Sequence, residues 1–213
     1  SHGLSEAPKL MIHKSIDQSR NWYTITTVPD GQSRYAYVNL TNQFNGSAVV
    51  APTSTLMNFT GSQESNNSGE NYIVYMWHDV PGLQKFGMWT NNNSNDGTFI
   101  ELGFKPALIL LKNTDNVENW YWIDSSRHSY NEGVPNNDAA GAVNTLQPNT
   151  SNTEATSRGF HTNATVDILS NGFKIRSTNT GAGEISFGTR NYIYAAWAEA
   201  PSMNLYGAQS NAR

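Results

Sequence analysis

The chain contains two copies of one sequence unit, and this duplication constrains the fold more than any other feature. Residues 8–23, which begin PKLMIHK and end NWY, recur 98 positions later at residues 106–121, which begin PALILLK and end NWY. Residues 71–77 (NYIVYMW) recur 120 positions later at residues 191–197 (NYIYAAW). The order of the segments is kept, and the second copy carries 22 additional residues between them. We therefore expect both copies to adopt the same local fold.

The repeated segments are predicted to be β-strands covered on both faces. They are short, rich in β-branched or aromatic residues, and bounded by Gly, Asn and Pro. Residues 166–176 (VDILSNGFKIR) predict a hairpin, because Asn171 and Gly172 accept the positive φ angles of a type I′ turn. Turn signals recur about every 8–12 residues. We predict an all-β fold with little helix: a duplicated antiparallel β-sandwich of the jelly-roll or concanavalin-like kind.

The duplication also predicts a domain division. We expect residues 1–87 to form a first β-sandwich and residues 88–213 a second, since each copy is long enough for a small β domain. The sequence leaves open whether the two copies build separate cores or share one. The additional residues of the second copy lie in polar stretches at 131–141 and 148–157, which we predict to be loops.

Composition excludes several classes of protein. Asn, Ser and Thr make up 67 of the 213 residues, and they favour turns and caps over helix interiors, which argues against a helical bundle. A net charge of −4 with only 13 Lys and Arg argues against a nucleic-acid partner. Membrane insertion is not expected, because no apolar stretch approaches the roughly 20 residues that span a bilayer. Cysteine is absent, so disulfides do not stabilise the fold.

The order of several segments resembles a domain pair of bacteriophage tail and tail-fibre proteins that also occurs in prophages. The resemblance runs almost from end to end and departs at residues 131–157. It is carried by GLSEAPKLMIHK (3–14), YVNLTN (37–42), FGMWTNNNSNDG (86–97), GFKP (103–106), NWYWIDSSR (119–127), LSNGFKIR (169–176) and YIYAAWAEAP (192–201).

This resemblance implies a lectin-like β-sandwich located in the virion and facing outward. The expected function is host attachment by binding bacterial surface polysaccharide, and the alternative is a structural or decoration module that binds no sugar. The expected partners also include other tail subunits and two further copies of the chain, since a trimer is the usual symmetry of a fibre. In such proteins sequence normally precedes Gly3, so the chain is expected to start inside a longer one. No cofactor is expected, and the family supplies no ligand-binding residue.

One candidate sugar site surrounds Trp89, which directly precedes a very polar loop. Trp89 has no counterpart in the first copy, and its ring is the best candidate for stacking on a sugar. Asn91, Asn93 and Asp96 would bind hydroxyl groups beside it. The alternative is a Trp that packs at a sandwich edge or an oligomer contact. Calcium binding in this loop is not predicted, because Asp96 is its only carboxylate and calcium sites usually gather several.

A second group of candidates follows the strand that contains Tyr121 and Trp122. Because side chains alternate along a strand, one of these two rings should face outward unless a neighbouring subunit covers it. Asp124, Arg127 and Tyr130 come directly afterwards and could bind sugar hydroxyls or an acidic sugar. The alternative that we favour for Asp124 and Arg127 is a local ion pair that holds the loop.

Residues kept in both copies are predicted to be structural. Four aromatic pairs should be buried, and two charged pairs should end strands by reaching water or pairing across strands. These pairs are Trp22/Trp120, Tyr23/Tyr121, Tyr72/Tyr192, Trp77/Trp197, Lys14/Lys112 and Asp79/Glu199.

Catalysis is not expected. A glycosidase needs two carboxylates at a set separation, and no closely spaced acidic motif lies on one predicted strand face. The five histidines lack metal-ligand spacing, and the sequence has neither a nucleophile elbow nor a phosphate-binding loop.

Overall fold

The computed structural model describes residues 1–46, 50–59, 64–94, 96–127, 145–152, 164–177 and 188–200. Within these ranges no helix is long and apolar enough to cross a membrane. The strands are β1 (Leu10–Ser15), β2 (Tyr23–Thr26), β3 (Arg34–Tyr37), β4 (Asn45–Gly46), β5 (Tyr72–Trp77), β6 (Gln84–Thr90), β7 (Asp96–Glu101), β8 (Pro106–Asn113), β9 (Trp120–Asp124), β10 (Thr145–Leu146), β11 (Ala164–Leu169), β12 (Gly172–Ser177) and β13 (Asn191–Ala198).

The strands form three antiparallel sheets. Sheet A has the order β4-β3-β2-β1-β5, sheet B the order β10-β9-β8-β13-β6, and sheet C the order β11-β12-β7. The prediction of an all-β, sandwich-like fold built from antiparallel strands is confirmed.

The duplication predicted from the sequence is present in the strand pairing. The series β3-β2-β1-β5 of sheet A and the series β10-β9-β8-β13 of sheet B have the same order. Leu10 lies opposite Trp77 in sheet A, and Leu108 lies opposite Trp197 in sheet B. These residues are related by the sequence offsets of 98 and 120, and the β1–β2 and β8–β9 registers agree in the same way. The two copies therefore share one strand order and one register.

Polar contacts are duplicated as well. The Asp17 carboxylate accepts hydrogen bonds from the main-chain N of Asn71 at 2.5 Å and from its side-chain amide at 3.1 Å. Asp115 accepts the equivalent bonds from Asn191, at 2.8 Å from the main chain. Each carboxylate ties the loop after the first repeated strand to the start of the last one.

The repeated lysines bind main-chain carbonyls. Lys14 Nζ donates to the O atoms of Gln18 and Arg20, and Lys112 Nζ donates to those of Asn113 and Asn116. Lys112 is buried, so the prediction that its side chain reaches water is wrong, whereas the predicted structural role is confirmed. Burial lowers the pKa of Lys112 to about 8.

Sheet B lies between sheets A and C, so both of its faces are buried. On β13, Tyr192 and Tyr194 belong to the core shared with sheet C, and Ile193 and Ala195 belong to the core shared with sheet A. A strand buried on both faces has a continuous apolar sequence. The prediction that both faces of a repeated strand are covered is thus confirmed for β8 and β13. It is also confirmed for β1, whose Met11 packs in a third apolar cluster. It is wrong for β5, where alternate side chains are exposed.

The equivalent residues Trp22 and Trp120 differ in burial. Trp120 is completely buried and its Nε1 donates to Tyr37 O at 2.9 Å, but Trp22 is 39% exposed. The prediction of a buried ring is therefore confirmed for Trp120 and wrong for Trp22. Trp120 lies in the core between sheets A and B, where Phe44 contacts its ring.

The predicted domain boundary between residues 87 and 88 lies inside β6. This strand follows β5 along the chain but pairs with β13 of the second copy. Sheets A and B also share an apolar core that includes Leu10, Phe86 and Leu110. The division of the chain into two domains at this position stays a prediction.

The predicted hairpin is present, but its turn differs from the prediction. Strands β11 and β12 pair antiparallel, with Leu169 opposite Gly172. Positive φ angles are absent at Asn171 and Gly172, so the type I′ prediction is wrong. Gly172 is needed for another reason: a Cβ atom there would lie 2.1 Å from Ile100 O of β7. The glycine lets β7 and β12 pair closely.

Candidate functional site

Trp89 lies inside the protein. Its side chain is 6% exposed and stacks on Tyr192, with ring centroids 4.9 Å apart and planes 17° apart. Phe173 contacts the same ring edge-on at 6.0 Å. The expectation of an exposed ring at Trp89 is wrong. The edge strand β6 of sheet B directs this side chain into the core shared with sheet C. The position agrees with the alternative of a Trp packed at a sandwich edge.

The polar residues after Trp89 attach their loop to the segment before β13. Asn91 is buried, its main-chain N donates to Arg190 O at 2.9 Å, and its side-chain amide donates to Gly188 O at 3.0 Å. Asn93 has a φ of 51° and accepts a hydrogen bond from Gly188 N at 3.0 Å. Both side chains therefore hold main-chain groups of their own chain.

Asp96 lies in an ion-pair cluster on sheet C. Its Oδ1 is 2.7 Å from Lys174 Nζ and 2.5 Å from Arg176 Nη1, although the carboxylate is 70% exposed. The bond from Lys174 holds the pKa of Asp96 below its ordinary value. A cation would have to compete with these two side chains. Among the residues described, no group of three or more His, Cys, Asp or Glu is placed to hold a metal ion.

Trp122 and Tyr121 are both directed into the protein. Tyr121 is buried in the core between sheets B and C. Trp122 is partly buried on the opposite face and stacks on Trp197, with centroids 5.9 Å apart. The expectation that one ring faces outward or meets another subunit is wrong, because sheet A of the same chain covers the second face.

Asp124 and Arg127 form the local ion pair that the sequence suggested as the alternative. Asp124 Oδ1 accepts bonds from the main-chain N of Ser126 at 3.0 Å and of Arg127 at 2.7 Å, and its Oδ2 pairs with Arg127 Nε. Burial opposes ionisation of Asp124, but the bonds from Arg127 outweigh it, so the pKa is lowered. Tyr130 lies outside the described residues.

The two predicted groups lie at opposite ends of sheet B. At one end Thr90 pairs with Asn191, and at the other Trp197 pairs with Leu108, which pairs with Asp124. Asn191 and Trp197 are six residues apart on β13, which is about 20 Å at roughly 3.3 Å per residue. A single sugar site cannot include both groups.

A pocket of about 270 Å³ lies at the end of sheet B that carries Asp124. It forms where the turn between β5 and β6 meets the segment that joins β7 to β8. Its apolar lining comes from Val80, Pro81, Leu102 and Phe104, and its remaining lining residues are Asp79, Gly82, Gln84 and Lys85. The pocket leaves no motif in the sequence, since its lining comes from two separate segments that the folding of the sheets brings together.

The carboxylate of Asp79 is held from two directions. Its Oδ1 accepts the main-chain N–H of Phe86 at 2.8 Å, and its Oδ2 pairs with Lys9 Nζ at 2.5 Å. The recurring residue Glu199 pairs with Lys105 at 2.6 Å, so the structural role predicted for Asp79 and Glu199 is confirmed. Each carboxylate oxygen can accept more than one hydrogen bond, so Asp79 keeps acceptor capacity.

Gln84 and Lys85 are also positioned by main-chain carbonyls. Gln84 Nε2 donates to His78 O at 2.7 Å, which leaves the amide oxygen as an acceptor. Lys85 Nζ donates to Glu101 O at 2.8 Å and so joins β6 to β7 beside the pocket. An ammonium has three donors, so Lys85 can also donate to a ligand. The pocket thus combines an apolar lining with a carboxylate, an amide and an ammonium held in place.

These features define an all-β protein in which two antiparallel sheets share strand order and register, with a small mixed pocket at one end of the middle sheet, sheet B. The chain belongs to the family described as "Domain of unknown function (DUF7483)", whose model matches residues 1–201. No curated protein and no solved structure gives a significant match.

Proposed function

We propose that the chain is a non-catalytic attachment domain of a bacteriophage tail fibre, which binds a sugar unit of a bacterial surface polysaccharide in the pocket beside Lys85. The pocket is the observation that carries the binding proposal. The assignment to a virion rests on the order of sequence segments. Oligomeric display in a fibre would strengthen weak individual sites, because a second contact forms at high effective concentration.

The pocket suits a small amphipathic ligand. Its volume of about 270 Å³ lies near the lower limit of about 300 Å³ for ligand pockets. A sugar ring presents C–H groups on one face and hydroxyls at its rim. The half-buried Val80 and the exposed Pro81 offer apolar surface to the C–H face, while Asp79 and Gln84 offer acceptors and Lys85 a donor for hydroxyls.

The same lining supports binding rather than hydrolysis. Asp79 is the only carboxylic acid among the pocket's lining residues, and it is already engaged with Lys9. Glycoside hydrolysis generally uses a pair of carboxylates on either side of the scissile bond.

A second candidate is a structural module of the virion that binds no sugar. It is favoured by exposed apolar side chains along one border of sheets A and B, where Ile73 and Tyr75 are each 42% exposed and Met88 is 41% exposed. Apolar patches of this kind often mark protein contacts. The two candidates predict different ligands and can be separated directly.

The test is binding of a multimerised form of the full chain to an array of bacterial surface polysaccharides. Lys85→Met and Gln84→Leu should each weaken binding about tenfold, equivalent to ~1.4 kcal/mol, while the thermal midpoint is little changed. Lys105→Met is the matched control, since Lys105 is an exposed lysine outside the pocket lining. Unchanged binding in both pocket variants would move the site elsewhere. Failure of the multimerised parent chain to bind any polysaccharide would favour the structural module.

A further inference from the structure

Among the residues described, no strand neighbours the outer edge of β5, whereas β6 neighbours the equivalent strand β13. In sheet B, β13 lies between β8 and β6, whereas in sheet A β5 pairs with β1 and ends the sheet. Because the two sheets share order and register, the position beside β5 in sheet A corresponds to the position that β6 occupies beside β13 in sheet B, and no described strand occupies it.

The main chain of β5 offers hydrogen-bonding groups along this edge. Trp77 O accepts from Lys9 N at 2.8 Å, so Trp77 directs its main-chain groups toward β1. Main-chain groups alternate in direction along a strand, so Val74 and Met76 direct theirs to the outer edge. No described strand pairs with that edge.

The equivalent positions of β13 are bonded to β6. Val74 and Met76 correspond to Tyr194 and Ala196, which lie opposite Gly87 and Lys85. The direction is the same, since Ala198 N donates to Leu83 O at 2.8 Å. The outer edge of β5 therefore presents the groups that β6 satisfies in the second copy.

The side chains of β5 leave the edge open to pairing. Its sequence, YIVYMW, contains neither a charge nor a proline, the usual devices that protect an edge strand. Ile73 and Tyr75 are exposed on the face that continues toward sheet B, where Trp77 contacts Trp197 at 6.0 Å. A strand added here would cover apolar surface as well as main-chain groups.

The sequence supplies a candidate segment for this edge. Residues 204–210 (NLYGAQS) lie 120 positions after β6 (QKFGMWT), the offset that relates β13 to β5. Gly207 matches Gly87, Tyr206 replaces Phe86, and six residues separate each segment from the equivalent residues Trp77 and Trp197. Residues 201–213 lie outside the described residues, so only their sequence and length enter here. The Trp77–Trp197 contact places the ends of β5 and β13 side by side, within reach of such a short connection.

We propose that the outer edge of β5 binds residues 204–210 of the same chain as an added antiparallel strand, in the register in which β13 pairs with β6. Asn204 then lies opposite Trp77, and Gly207 lies opposite Val74. Each copy thereby completes the sheet of the other, since β6 crosses from the first copy to sheet B and residues 204–210 cross to sheet A. This proposal does not depend on sugar binding.

Amide hydrogen exchange of the full chain tests the proposal. The amides of Val74 and Met76 should exchange slowly in the full chain and at least tenfold faster after deletion of residues 202–213. The amides of Tyr194 and Ala196 are the internal control and should be slow in both proteins. Fast exchange at Val74 and Met76 in the full chain would overturn the proposal.

A pair of proline variants separates strand pairing from a general effect of the terminus. In the proposed register Leu205 donates its N–H to Met76, so Leu205→Pro should accelerate exchange at Met76. The N–H of Ala208 points away from β5, and an edge strand tolerates proline at such a position, so Ala208→Pro should leave Met76 protected. Equal effects of the two variants would contradict the register. Protection that disappears on dilution together with a dimer would instead assign the strand to a second copy.

Discussion

Arg190 forms an ion pair with Glu118 at 2.6 Å, in the place that the Arg20–Glu70 pair occupies in the first copy, with the two charges exchanged. Glu118 follows Arg20 by 98 positions, and Arg190 follows Glu70 by 120, the offsets of the repeated strands. Each pair joins the loop after the first repeated strand to the residues before the last one.

The exchange distinguishes two copies that otherwise share strand order and register. If β13 paired with β1, Arg190 would face Arg20, and if β5 paired with β8, Glu70 would face Glu118. Like charges at such positions disfavour a wrong pairing. We therefore expect the exchange to help each strand join its own sheet.

Reversal of both charges in the first copy tests this role. Arg20→Glu or Glu70→Arg alone should lower the thermal midpoint, because each leaves like charges together. The double variant should recover part of the loss, since the second copy accommodates that order. Recovery should be incomplete because Glu70 also accepts a bond from Tyr72 at 2.8 Å. The double variant should also refold from urea in lower yield, as wrong pairings become attractive; an unchanged yield would contradict the proposed selectivity.

His13 should make stability depend on pH. Its ring is buried between Tyr23 and Phe59, and neither nitrogen has a hydrogen-bond partner among the described residues. Burial lowers the pKa from 6.5 to about 4, so between these pH values the unfolded chain binds a proton that the folded chain does not. Stability should decrease as pH falls through this window, by up to about 3 kcal/mol, with no further loss from this group below pH 4.

The second copy provides the matched variants for His13. The equivalent residue is Leu111, which is completely buried. Urea unfolding between pH 4 and 7 should show that His13→Leu removes the decrease with acid. Leu111→His should add a second decrease of similar sign. If the slope of stability against pH is the same in His13→Leu as in the parent chain, another group is responsible.

Trp89 should contribute to stability. Trp89→Ala removes a ring packed on Tyr192 and Phe173, and we expect a loss of about 3–5 kcal/mol in the free energy of unfolding. Trp22→Ala should cost much less, because that ring is 39% exposed. Urea titrations monitored by circular dichroism measure both. A Trp89→Ala protein as stable as the parent would return Trp89 to the list of binding candidates.

The sequence predicted best those strands whose burial can be recognised from the order of their own residues. The runs that became β1, β8 and β13 are apolar at successive positions, and this alone indicates coverage on both faces. The constant offsets of the repeats then predicted the same strand register in both copies, because a shift of one residue would move every side chain of a strand to the other face of its sheet.

The candidate site could not be predicted because it depends on which sheet β6 joins. The sequence places Trp89 next to a polar loop, but its burial results from pairing with β13, a strand about a hundred residues away. The pocket likewise depends on contacts between separate segments, since Lys85 of β6 donates to Glu101 O next to Leu102. Neither relationship leaves a signal in local periodicity.

Gly87 and Tyr194 should behave as a coupled pair. They lie opposite each other on β6 and β13, and a Cβ atom at Gly87 would lie 2.4 Å from Tyr194 Oη. Gly87→Ala should therefore destabilise the protein by about 1–3 kcal/mol through overpacking. The first copy has Val74 at the position of Tyr194, which suggests Tyr194→Val as the partner variant.

Urea unfolding of the parent, the two single variants and the double variant measures this coupling. Tyr194→Val should cost stability by itself, because it removes a buried ring that contacts Phe173 at 5.7 Å. In that background Gly87→Ala should cost little more, since the ring that excludes its methyl group is gone. Costs that add to within about 0.5 kcal/mol would show that the two sites are independent. A glycine at position 87 would then be required by the main chain rather than by the ring above it.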